Sequence, residues 1–166
     1  MINNKKYILS ALAAALVASS SVAVAQEYSS DNACSYEFRD AVRLKEKGMR
    51  GRSSAIFEEL ARKTGETDPL ALSVLEDVVM QVPGYTTRME DFVAACPHSP
   101  YVPQMYFAYA LNLFDADDYE QASVYLDMVK VKHLYKDQRD EYLFKKAYCM
   151  LEKGDYDNAL KGFQEG

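Results

Sequence analysis

The chain has 166 residues, 49% hydrophobic and 27% charged, a balance that fits one ordinary folded domain and excludes a disordered or collagen-like chain. Nineteen Lys and Arg stand against 25 Asp and Glu; the first 25 residues hold two of the lysines and no acid, which takes the remainder to about −8 and argues against nucleic acid or an anionic membrane surface as a partner. Thirteen Tyr and seven Phe make aromatic surface plentiful, whereas two His and three Cys leave little material for a metal or nucleophile site.

Residues 1–25 read as a secretory signal. Lys5-Lys6 precedes the apolar run from Ile8 to Ala18, then Ser19-Ser20-Ser21 and the small-residue triplet Ala23-Val24-Ala25. That order of basic, apolar and small segments is too short for a membrane span and predicts cleavage after Ala25, so that the mature chain starts at Gln26. An uncleaved N-terminal anchor is the alternative. Residues 26–33 form a short polar segment. Cys34 is a weak lipid-anchor site, because Asp31 occupies the position three before it where an aliphatic residue is required. Nothing later in the chain is apolar enough to cross a bilayer. The expected product is soluble and exported, into a periplasm where the cell has two membranes.

From residue 34 onward the sequence repeats. Four segments align without gaps: Lys47-Gly48-Met49-Arg50 leading to Phe57, Val82-Pro83-Gly84-Tyr85 leading to Phe92, Ala116-Asp117-Asp118-Tyr119 leading to Leu126, and Lys153-Gly154-Asp155-Tyr156 leading to Phe163. Arg50, Tyr85, Tyr119 and Tyr156 lie 35, 34 and 37 residues apart, and the Phe57, Phe92, Leu126 and Phe163 column keeps the same intervals. Before each turn apolar residues recur at three and four, as in Tyr36-Phe38-Ala41-Val42-Leu44 and Leu143-Phe144-Ala147-Tyr148-Met150-Leu151. A second amphipathic stretch follows each turn, so each unit is helix, short turn, helix. The units span about 34–67, 69–101, 103–138 and 140–166, the last incomplete. Pro69, Pro97, Pro100 and Pro103 fall between them, and Pro83 occupies the second turn. Ala110 with Ala122, and Ala147 with Ala159, mark close helix crossings, and the column from Phe57 to Phe163 fills the gap to the next hairpin. An ordinary amphipathic bundle is the competing architecture, although it has no reason to keep a fixed period.

Ala147 through Gly154-Asp155-Tyr156 and Ala159 to Phe163 resembles a tetratricopeptide repeat, and Ala110, Asp118-Tyr119, Ala122 and Leu126 resemble a second copy. In the first unit Ala41 and Phe57 match, with Ser53 in place of the alanine after the turn. In the second, Tyr85 and Phe92 match, with Glu76 and Arg88 in place of both small residues. The layout, with Phe144-Lys145-Lys146-Ala147-Tyr148-Cys149, also resembles exported tetratricopeptide proteins of Bacteroidetes-type bacteria. The resemblance implies an all-α, right-handed solenoid of stacked hairpins, with peptide ligands held on the concave side by the first helices. Phe107, Leu111 and Phe114 form one apolar stripe there and Phe144, Tyr148 and Leu151 the next. These stripes form a partner groove or pack against further repeats. The sequence stops inside the last second helix, so we expect either a piece of a longer solenoid or an end that a partner or a second copy covers.

Catalytic material is sparse. His98 lies in the loop Cys96-Pro97-His98-Ser99-Pro100 and His133 follows Lys130-Val131-Lys132 at the end of a helix; both read as surface residues. No Cys-x-x-Cys, His-x-x-x-His or glycine-rich phosphate loop occurs, and no cofactor or metal is expected. Cys149 reads as a small core residue, while Cys34 and Cys96 form a disulfide or remain thiols. The sequence therefore points to a non-catalytic envelope scaffold for a protein or peptide partner. A helical arm of a larger envelope enzyme and a structural spacer are the alternatives.

Overall fold

Apolar periodicity makes the helices, and the turns decide where each one stops. The computed structural model describes residues 36–165; among them are eight α-helices, one 3-10 turn and no strand. In chain order these are α1 (36–46), α2 (Arg50–Thr64), α3 (Thr67–Met80), α4 (Tyr85–Ala95), α5 (Val102–Asp115), α6 (Tyr119–Met128), the 3-10 turn Val131–His133, α7 (Lys136–Glu152) and α8 (Tyr156–Glu165). The signal segment, the polar segment 26–33 and Cys34 lie outside the described residues.

The first helix of each hairpin closes in one manner. Gly48, Gln81, Asp117 and Gly154 each adopt positive φ, at 75°, 53°, 61° and 80°. The N–H of the residue after each reaches back five places, with Met49 to Leu44 O at 2.9 Å, Val82 to Asp77 O at 3.0 Å, Asp118 to Leu113 O at 2.9 Å and Asp155 to Met150 O at 2.9 Å. This closure satisfies helix-end carbonyls that would otherwise lack partners. Asp118 then caps α6, its Oδ1 accepting from the Gln121 N–H at 3.1 Å.

The closure corrects the register of the second unit. Its left-handed residue is Gln81, two places before the Pro83 that the gap-free alignment sets against Gly48, Asp117 and Gly154, and Gly84 supplies a second left-handed turn at φ 84°. The stretch from the left-handed residue to the next helix is thus two residues longer than in the other hairpins. Seven places before the left-handed residue, the small Ala41, Ala110 and Ala147 are matched by Val74 rather than Glu76, and all four are buried. Pro69, placed between units by the sequence, lies in the first turn of α3, where a missing N–H costs little.

Packing follows chain order. Ala41, Phe57 and Leu72 join α1, α2 and α3; Val74, Val78, Met89, Phe92 and Met105 join α3, α4 and α5; Phe107, Ala110, Ala122, Leu126, Tyr142 and Cys149 join α5, α6 and α7. Phe57, Phe92 and Leu126 are buried, each burial stabilising the fold by about 1.5–3 kcal/mol, whereas Phe163 of the same column stays partly exposed. Helices of 10 to 17 residues are marginal alone, so these shared cores hold them.

Ser53 is fully buried and its hydroxyl donates to the Ala41 carbonyl at 2.8 Å, keeping a small residue at the α1/α2 crossing. Glu76 and Arg88 face different neighbours. Fully buried Glu76 accepts from Arg50 at 2.7 Å through Oε2, while Lys45 Nζ lies 3.3 Å from Oε1 as an ion pair outside hydrogen-bond alignment. Arg88 bonds Asp77, which also accepts from Ser54 at 3.0 Å. A polar layer thus lies between the first and second hairpins, and Arg88 stands where Ala122 and Ala159 mark the crossings of the later units.

Candidate functional site

The two expected stripes have different fates because α7 lies across α5 and α6. Phe107 is only 2% exposed, with its ring 6.3 Å from that of Tyr142, so it belongs to the core and not to a groove. Leu111 and Phe114 are half-buried beneath the same helix. Phe114 meets Tyr119 at 5.1 Å and Tyr148 at 5.3 Å, both edge-on, and Lys145 Nζ sits 4.1 Å from its ring centre. Edge-on rings set positive edges against negative faces, which fixes this cluster beyond simple burial.

The second stripe is the open one. Phe144 is 54% exposed, Leu151 sits at the border of exposure, and half-buried Tyr148 connects Phe144 to the Phe114 cluster. α8 extends the surface: Phe163 lies 5.7 Å from Phe144, and Tyr156 and Leu160 are 68% and 60% exposed. Tyr156, read from sequence as a repeat-defining turn residue, thus contributes surface. Leu160 carried a signal that periodicity alone did not expose, because its register mate on α6 is the buried Ser123.

Hydrogen bonds hold Tyr119 and Lys146, on the elements beside this surface, in their protonated forms. The Tyr119 hydroxyl donates to Asp117 Oδ1 at 2.6 Å, which keeps the phenol protonated well above its usual range. Burial opposes the charge on Lys146, but the Tyr142 hydroxyl at 3.1 Å and the Asp127 carboxylate at 3.0 Å more than offset it and hold the ammonium above its usual value. Tyr142 in turn donates to the Leu126 carbonyl at 3.2 Å, tying α7 to α6.

Burial pushes the Cys149 thiol upward, which suits a packed side chain and not a nucleophile. Cys96 is a half-buried thiol packed on the α3–α5 core; Cys34, its expected disulfide partner, lies outside the described residues. His98 is exposed in the α4–α5 link. His133 sits in the 3-10 turn instead of at a helix end, and its carbonyl accepts from Gln104 Nε2 at 2.6 Å. Among the described residues no three His, Cys, Asp or Glu side chains gather as a metal site, and no helix is long and apolar enough to cross a membrane. The arrangement offers contact area: an aromatic face at one end of the molecule, rimmed by charge.

Comparison with protein-family models, with curated proteins and with solved structures finds no match for this chain.

Proposed function

We propose that the protein is an exported, non-catalytic scaffold of the tetratricopeptide type, a right-handed solenoid of stacked hairpins that holds a protein or peptide partner in the cell envelope. One observation carries the reading: Phe144, Leu151, Tyr156, Leu160 and Phe163 are exposed together on α7 and α8. A contiguous apolar face of this kind on a soluble domain is a binding surface, since Tyr and Phe bring contact area at little entropic cost. The export step rests on the leader, and N-terminal sequencing of the exported chain should begin at Gln26.

The test replaces Phe144 and Leu160 with glutamate and compares cross-linked partner capture from envelope extracts with that of the unaltered chain. Lost capture at unchanged helicity supports the scaffold; unchanged capture removes the surface assignment. Buried Phe107 favours one second reading, a structural spacer whose stripes are consumed by stacking, for which the same variant leaves capture intact.

A further inference from the structure

The face by which each first helix packs on the hairpin before it can be followed by register. Twelve places before the left-handed residues Gly48, Gln81, Asp117 and Gly154 stand Tyr36, Pro69, Met105 and Tyr142; five places before them stand Arg43, Glu76, Asn112 and Cys149. In α3, α5 and α7 these positions are consumed. Pro69, Met105, Tyr142 and Cys149 are buried, Glu76 bonds Arg50 at 2.7 Å, and Asn112 Nδ2 donates to the Val78 carbonyl at 2.8 Å. In α1 the same face is not covered by the other described residues. Tyr36 is 67% exposed, and Arg43, ion-paired with Asp40 along its own helix, keeps a mostly exposed side chain. Among the described residues, Tyr36, Arg39, Asp40 and Arg43 line a depression on this face.

The complementary face lies on α7 and α8. Moving 37 residues along takes Phe107 to Phe144, Phe114 to Leu151, Tyr119 to Tyr156, Ser123 to Leu160 and Leu126 to Phe163. The first of each pair is buried or half-buried in the α5–α7 region, and the second is exposed. Positions internal to the hairpin do not change: Ala110 and Ala122 are as buried as Ala147 and Ala159. The difference is therefore confined to the surface that α7 covers on α5 and α6.

We propose that α1 of a second copy docks on this face, in the place that α7 takes on α5 and α6, so that the chains associate head to tail. The inference rests on the scaffold reading and names the partner of that surface. Tyr36 stands in the register of Tyr142, whose hydroxyl donates to the Leu126 carbonyl at 3.2 Å; the corresponding acceptor is the Phe163 carbonyl. Arg43 stands in the column of Asn112, facing the Leu151 carbonyl at the negative end of α7. The Lys146–Asp127 pair is replaced by Asp40 and Gln164, which oppose no like charges. A contact of this kind joins different patches, so two copies leave one end of each open.

Sedimentation velocity of the purified chain from micromolar to millimolar concentration tests this, with helicity measured for every variant. The unaltered chain should grow in mass with concentration. A head variant, Tyr36→Ala with Arg43→Glu, and a tail variant, Phe144→Glu with Leu160→Glu, should each be monomeric alone and form a dimer of limited size when mixed. An unaltered chain that stays monomeric, a head variant that associates as strongly as the unaltered chain, or a mixture that fails to pair would overturn the proposal. A monomeric chain whose tail variant still loses an envelope partner overturns the second copy as occupant while leaving the scaffold reading in place.

Discussion

A Cβ placed on Gly162 would lie 2.8 Å from the Cβ of Ala147, so α7 and α8 cross where neither helix tolerates a larger residue. Helix propensity alone favours alanine over glycine by about 1 kcal/mol, but overpacking at a backbone crossing costs about 1–3 kcal/mol. The crossing wins, because an alanine methyl cannot swing aside. Gly162→Ala should destabilise the protein by about 1 kcal/mol, read as a lower urea midpoint at unchanged slope.

The buried ion cluster predicts an asymmetry. Glu76 is fully buried, whereas Arg50 and Lys45 keep about a third of their side-chain surface in water. Glu76→Gln leaves two cations that can re-solvate and should cost about 1 kcal/mol. Arg50→Met strands a carboxylate with one imperfect partner and should cost about 3 kcal/mol. Chemical denaturation of both variants checks the order; a costlier Glu76→Gln contradicts the account.

Gln81 adopts φ 53° for a closure that glycine performs in two of the other three hairpins. Its side chain makes one exposed bond, to Asn112 at 3.3 Å. Removing the strain outweighs losing that bond, so Gln81→Gly should stabilise the chain by about 0.5–1 kcal/mol. Thermal unfolding reads the sign, and a lower midpoint counts against the shared closure.

Several phenols titrate high. Asp117 raises Tyr119, and burial, with neighbouring phenols or carboxylates, raises Tyr101, Tyr109 and Tyr125. Each folded value lies above the unfolded one, so the contribution is present below about pH 10 and is lost as pH rises through the folded values. Ultraviolet phenolate titration should show delayed ionisation in the folded chain, with one late component absent in Tyr119→Phe.

Helix positions are legible in the sequence because apolar residues recurring at three and four line up on one face of a helix and scatter over both faces of a strand. The turn columns of the third and fourth units hold in the structure. The second unit misleads for a local reason. Its chain reverses at Gln81, a residue with no compositional mark of positive φ, and the visible Gly84 draws the alignment two places downstream. The aromatic stripes are visible as a set, but periodicity cannot say which stripe a neighbour covers: Phe107 and Phe144 look alike until α7 is laid over one of them. Gly162 carries no sequence mark because it belongs to no repeating column, and apolar Leu160 is hidden because its register mate is the polar Ser123.

Native-state hydrogen exchange tests most directly whether each hairpin is held by its sequence neighbours. Protection should be graded along the chain, with the amides of α8 and then α7 opening in partial unfolding events while α3 and α5, each packed between neighbouring helices, exchange last. Exchange of every helix from α1 to α8 through one global opening, with a single free energy, would contradict the account.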